Sequence, residues 1–208
     1  IGLSNVGMRI LYGVMNEMDG VWCERVFAPW GDMEEEMRKH KLPLWALESQ
    51  DPVKDFDMIA ITIGYEMCYT NILNMLSLAE VPLHAKDREG LHNIVFAGGV
   101  CTFNPEPLAD FVDFFSLGEG EEITPEIVSL YDRAKAEGWS KDAFLWEVSK
   151  IPGIYVPSFY EHTYNEDGTI AAITPLNGAP EKVTKRIIED LDHAYYPTKM
   201  IVPSTEIV

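Results

Sequence analysis

The sequence has no apolar run approaching the roughly 18 residues that a membrane span requires, although 47% of its 208 residues are hydrophobic. No membrane association is expected. Positive charge is scarce: 16 Lys and Arg stand against 34 Asp and Glu, a net charge of −18, which repels phosphate backbones and anionic lipid alike. Direct nucleic-acid binding is therefore not expected. Cysteine is sparse as well. Cys23, Cys68 and Cys101 are far apart in sequence, each in or beside an apolar run, so there is neither Cys-x-x-Cys ligand spacing nor an even set for disulfides. The expected compartment is reducing, hence cytoplasmic. The chain opens Ile1-Gly2-Leu3-Ser4, with no initiator Met and no signal peptide, and reads as a fragment.

Phosphate-binding loops are missing too. No Gly-x-Gly-x-x-Gly follows a strand and no Gly-Lys-Ser/Thr loop occurs. Gly118-Glu119-Gly120 imitates one, but Glu119, Glu121 and Glu122 put negative charge at a helix start, where a pyrophosphate would otherwise sit. This disfavours a dinucleotide. The five histidines, His40, His84, His92, His162 and His193, form no metal-ligand or triad arrangement with nearby residues.

What is present is an alternation of helix and strand. Residues 5–18 place Ile10, Leu11, Val14, Met15 and Met18 on one helical face, capped by Ser4 or Asn5. Gly7 and Gly13 within that helix suggest close approach to a neighbouring backbone or ligand. A strand is predicted over residues 21–27, then a helix capped by Asp32 whose charges complement its dipole at both ends. Residues 44–47 read as a short strand, and residues 58–63 as one buried on both faces of a parallel sheet. A helix over about 69–80, strands over 93–97 and 114–117, a helix opened by Thr124-Pro125 and closed by Gly138, and a last helix capped by Ser140 follow.

This spacing predicts βαβ units and an α/β fold, a doubly wound parallel sheet of Rossmann-like or flavodoxin-like type in strand order 2-1-3-4-5, over residues 1–150. Strands 58–63 and 94–97 should be central. The first strand looks largely missing, with Ile1 as its last residue. After Pro152 the pattern changes. Residues 154–164 and 169–174 flank Asn165-Glu166-Asp167-Gly168, a hairpin signal, so 151–176 are expected to form a β-hairpin appendage. Residues 177–208 are Pro-punctuated and charged and read as a connector, with 185–190 as a helical turn and 200–202 as a strand.

In such a sheet, ligands bind outside the carboxyl ends of the strands. Four loops fall there: Ser4-Asn5-Val6-Gly7, Gly64-Tyr65-Glu66, Gly98-Gly99-Val100-Cys101-Thr102 and Gly118-Glu119-Gly120-Glu121. Their glycines allow positive φ and contact between backbone and ligand. The candidate cofactor-binding residues are accordingly Ser4, Asn5, Gly7, Gly64, Tyr65, Gly98, Gly99, Val100, Gly118, Glu119 and Gly120. None is expected to be catalytic or to bind a metal.

The run from Ile1 to Gly13, the Gly98-Gly99 turn followed by Asn104-Pro105-Glu106-Pro107, and Gly118-Glu119-Gly120-Glu121 resemble the N-terminal region of uncharacterised radical S-adenosylmethionine (SAM) proteins with a cobalamin-binding-like domain. The final Pro203-Ser204-Thr205-Glu206-Ile207-Val208 resembles the stretch just before their Cys-x3-Cys-x2-Cys core. The resemblance implies a domain that presents a corrinoid to a SAM-cleaving barrel carrying a [4Fe-4S] cluster, in support of radical or methyl-transfer chemistry on an unknown substrate. The barrel would be the partner, in the same full-length chain. No Cys-x3-Cys-x2-Cys occurs here, so SAM and the cluster would belong to that absent part. The Ser4 to Gly7 loop also lacks the Asp-x-His-x-x-Gly histidine that ligates cobalt in better-known cobalamin domains. Cobalamin would be held by backbone and shape, without a protein imidazole. The alternative is a degenerate structural domain that docks on the barrel and binds no cofactor.

Overall fold

Two apolar runs set the architecture. In the computed structural model, which describes residues 5–198, Met58–Thr62 forms β1 and Ile94–Gly98 forms β2, paired in parallel with Met58 opposite Ile94. Phe114–Ser116 forms β3, parallel to β2, and Ile154–Tyr155 forms β4, antiparallel to β3. Side chains alternate across a strand, so the inner strands feed two cores. Val95, Ala97 and Phe115 join one cluster; Ile94, Phe96 and Phe114 join the other. Both faces are therefore buried, as the unbroken hydrophobicity of these strands requires.

The described residues form five α-helices: α1 (Val6–Asn16), α2 (Gly31–His40), α3 (Tyr69–Leu78), α4 (Gly120–Glu137) and α5 (Lys141–Val148). Met37 of α2 and Ile72 and Leu76 of α3 bury against one face; Ile123 and Ile127 of α4 and Phe144 and Val148 of α5 bury against the other. The helix α1 packs on α4. Local chemistry sets several ends as the sequence suggests. The Asn5 side chain accepts from the Met8 N–H at 2.9 Å, Ser140 accepts from the Ala143 N–H at 3.2 Å, and Gly138 closes α4 in the left-handed region. No helix among the described residues is long and apolar enough to cross a membrane.

One buried polar network ties the layers together. Arg88 and Asp113 are both 3% exposed. The Arg88 Nη2 lies 3.0 Å from Asp113 Oδ2, and Lys141 Nζ, at the start of α5, lies 2.6 Å from Asp113 Oδ1. The same Asp113 Oδ2 accepts from the Val95 N–H in β2 at 2.8 Å. The remaining Arg88 N–H groups donate to the carbonyls of Pro82, Leu83 and Phe111. A buried charge set of this kind is tolerable because nearly every donor is used.

The doubly wound α/β class holds, and the expected 2-1-3-4-5 order is seen in part. Among the described residues the main sheet has four strands in the order β1-β2-β3-β4, of which β1-β2-β3 keep the expected 3-4-5 run; strand 2 does not form and the first strand lies outside the described residues. Residues 21–27 form no strand, because Cys23 bonds the Asn16 side chain and Arg25 bonds Glu48 and Leu47 instead of a ladder. Residues 44–47 contribute only an isolated bridge between Trp45 and Pro52. Among the described residues, β2 is therefore paired on both sides and β1 on one. The helix α2 is preceded by Trp30 at its N-cap, two residues before the Asp32 cap that the sequence implied, and α4 starts at Gly120 with Pro125 inside it. Pro125 forgoes one helical bond near the N-terminus, while Ile123 and Ile127 are fully buried on either side of it.

The hairpin signal is borne out from Tyr160 on, but the strand expected over 154–164 is split: Ile154–Tyr155 joins the main sheet as β4, and a turn over Pro157–Phe159 separates it from the hairpin. Tyr160–Tyr164 (β5) and Ile170–Pro175 (β6) pair antiparallel, and the Asp167 side chain accepts from the Thr169 N–H at 3.0 Å in the turn. Residues 185–190 are not a helical turn: Arg186 forms a parallel bridge with Gly118. The strand expected over 200–202 lies outside the described residues.

Candidate functional site

The carboxyl ends of β1, β2 and β3 carry the three loops that the sequence singled out in the described core. Two of them are laced together. The Ile63 N–H donates to the Gly98 carbonyl at 2.7 Å and the Cys101 N–H donates to the Ile63 carbonyl at 3.2 Å. Gly99 has φ +102°, and a Cβ there would lie 2.6 Å from the Ile63 oxygen. Glycine is therefore required at 99 by the chain's own backbone. Gly98 has ordinary room, with Ser116 O at 3.8 Å from such a Cβ, and among the described residues no atom lies within 4 Å of one at Gly64. Gly64 faces open space.

The loop after β3 is closed by the chain itself. Arg186 N–H donates to the Leu117 carbonyl at 2.8 Å and its carbonyl accepts from the Glu119 N–H at 3.1 Å. Gly118, at φ +111°, faces the Arg186 backbone, into which any Cβ would collide. The Glu119 carboxylate accepts from the Ile188 N–H. Arg186 anchors the strap further through Glu122 at 3.1 Å and Glu126 at 2.8 Å. At Gly120 a Cβ would press on Leu11 of α1 at 2.8 Å. These glycines are accounted for without a ligand.

Of the first loop, Ser4 lies outside the described residues. Asn5 caps α1, and Gly7 has only the Asn5 carboxamide oxygen near it, at 3.5 Å from a built Cβ. The structure thus brings Gly64, Tyr65, Gly98, Gly99 and Val100 together on adjacent loops, and gives Gly118, Glu119 and Gly120 to contacts within the chain.

Sequence reasoning missed the apolar character of this edge. Tyr65 is 56% exposed, Met67 73%, Val100 68% and Phe103 62%. All four sit on the two laced loops, and the Tyr65 hydroxyl donates to Met67 Sδ at 3.0 Å. The signal was available: large apolar residues stand immediately after strand-ending glycines. The same loops also bring Cys68 and Cys101 into one electrostatic neighbourhood. Burial raises the Cys101 thiol pKa, and the negative Glu66 and nearby Cys68 raise it further. Tyr69 is raised likewise, by burial and then by Cys101 and Glu66. The raised Cys101 thiol is held protonated and is a poor nucleophile.

No group of three His, Cys, Asp or Glu side chains suited to a metal occurs among the described residues. The residues here do not fit a [4Fe-4S] cluster. Each histidine has its own local partner: His40 with Glu36, His84 stacked on Phe111, His92 with the Lys54 carbonyl, His162 with Glu106 and His193 with Asp190.

Residues 7–157 match the family described as radical SAM proteins, N-terminal. An uncharacterised protein of Methanocaldococcus jannaschii is 34% identical over 91 residues, which are 41% of this chain and 18% of that protein. The chain thus spans less than a fifth of the length of this relative. No solved structure matches.

Proposed function

The chain belongs to the radical SAM N-terminal family, and from that premise we propose that it is a docking module, whose apolar carboxyl edge seats the radical SAM barrel of the full-length protein. The carrying observation is the contrast between the loops. The loop after β3 is sealed by residues 186–188, whereas the loops after β1 and β2 present Tyr65, Met67, Val100 and Phe103 to solvent. Four large exposed apolar side chains on adjacent loops are what an interaction surface offers. The barrel would hold the cluster and SAM, and this domain would shape access to them.

The test compares amide hydrogen exchange in the isolated chain and in the full-length protein. Residues 65–68 and 100–103 should exchange more slowly in the full-length protein, and Met67→Arg or Phe103→Glu should reverse the protection. Equal exchange in both would count against docking through this edge.

A second reading keeps cobalamin, and one observation favours it: Gly64 faces open space beside exposed Tyr65 and Val100. The cradle would then be limited to the first two loops, with no imidazole on cobalt. The glycines at 99, 118 and 120 lend this reading no support, since packing explains each.

A further inference from the structure

The hairpin of β5 and β6 has two unlike faces. Paired residues of antiparallel strands share a face, so Tyr160 with Pro175, His162 with Ile173 and Tyr164 with Ile170 fall on one side. Glu161 with Thr174 and Thr163 with Ala172 fall on the other. The first face is aromatic and aliphatic; the second is mostly polar and exposed throughout. Such alternation is what a strand pair shows when one of its faces is meant for burial.

The base of the apolar face is used within the chain. The Tyr160 ring packs against Tyr155 of β4 with centroids 4.8 Å apart, and the Tyr160 hydroxyl donates to the Pro180 carbonyl at 2.8 Å. His162 Nε2 lies 3.1 Å from Glu106 Oε2, while Glu106 Oε1 accepts from the Tyr155 hydroxyl at 2.5 Å. Glu106 follows the loop that carries Val100 and Phe103, so this anchor ties the hairpin to the segment leaving the docking loop. Toward the turn the same face is bare: Tyr164, Ile170 and Ile173 are each half or more exposed. A two-stranded hairpin is at best marginally stable in water unless something packs against it.

Charge selects the occupant. No Lys or Arg occurs between Lys150 and Lys182, whereas Glu166 and Asp167 stand in the hairpin turn and Glu161 on its outer face. Hydrogen bonds from the Thr169 hydroxyl and N–H hold the Asp167 carboxyl below its ordinary pKa. A second copy of the chain would bring the same carboxylates and the same net charge of −18 against this arm, a juxtaposition that like-charge repulsion disfavours. We propose that the bare half of the hairpin grips the radical SAM barrel of the full-length protein, entering an apolar hollow rimmed by Lys and Arg. This second grip rests on the docking reading of the loops after β1 and β2 and extends it. Tyr164, Ile170 and Ile173 supply the dehydrated centre of the contact, and the turn carboxylates its polar rim.

The experiment follows amide hydrogen exchange in the full-length protein, unaltered and with single substitutions. Ile173→Arg puts a charge on the bare face and should speed exchange over residues 161–174 by roughly tenfold. Thr174→Arg puts the same charge on the opposite face and should leave it unchanged. Tyr164→Ser should repeat the effect of Ile173→Arg, and slow exchange at Val95 reports an intact sheet in every variant. Glu166→Lys should speed hairpin exchange about threefold at low salt; no change there overturns the basic rim. Equal exchange in the Ile173→Arg and Thr174→Arg proteins overturns the grip, and the docking reading outlives it if residues 65–68 and 100–103 stay protected. Unprotected loops in the unaltered protein overturn both. Hairpin protection that rises with protein concentration also overturns the proposal, since a second copy would then be the occupant.

Discussion

Replacing Arg88 by Met removes the only guanidinium in the buried network while keeping most of its aliphatic volume. The side chains of Arg88 and Asp113 are each 1% exposed, so the pair is little screened by water. The substitution leaves the carbonyls of Pro82, Leu83 and Phe111 without this donor and leaves Asp113 to Lys141 and the Val95 N–H. Removing one partner of a buried pair costs about 3–5 kcal/mol. For a chain of this size each kcal/mol lowers Tm by about 2–4 °C, so a fall of roughly 6–20 °C is expected. Differential scanning calorimetry measures it. The double variant Arg88→Met with Asp113→Leu should be less destabilised than the sum of its singles, because both charges leave together. A fall worth less than about 1 kcal/mol in the single variant, or strict additivity in the double, would refute the reasoning.

The remaining predictions are narrower. Gly99→Ala should cost about 1–3 kcal/mol, from its positive φ and the Ile63 carbonyl in its path, whereas Gly64→Ala should stay within about 0.5 kcal/mol. Equal loss in both, read by urea titration, would contradict the assignment of these two glycines. Burial, then the charge on Glu48, pushes the Cys23 thiol from an ordinary 9 to about 11. At pH 8 its alkylation by iodoacetamide, followed by peptide mass spectrometry, should run about a hundredfold slower than that of an exposed thiol. The sign for stability follows: the folded state holds this proton between pH 9 and about 11, so the contribution is present below pH 9 and is lost as pH rises through 11. Cys23→Ser should flatten that alkaline slope.

Much of the layer structure was legible in sequence because its signals are local. Asn5, Ser140 and Gly138 act through neighbours within one turn, and the uninterrupted hydrophobicity of residues 94–97 reports burial on both faces. Partners decided the rest. Residues 21–27 have strand composition but spend their peptide groups on Asn16, Glu48 and Leu47, all contacts that periodicity cannot register. The strap at Arg186 was equally hidden, since a charged, Pro-punctuated stretch gives no sign that it will bridge to Gly118. That hidden contact changes the reading of the candidate site most. Gly118, Glu119 and Gly120 were marked by their position after a strand, and position alone does not distinguish a glycine kept open for a ligand from one kept small for the chain.

The docking reading makes the carboxyl edge an interaction surface and gives Gly99, Gly118 and Gly120 to the chain's own packing. Its most direct test is equilibrium dialysis of hydroxocobalamin against the full-length protein and the Gly64→Leu variant, with the corrinoid followed by its absorption. Neither protein should retain corrinoid above the dialysate. Stoichiometric retention by the unaltered protein, lost on Gly64→Leu, would contradict the docking reading and install the cofactor reading in its place.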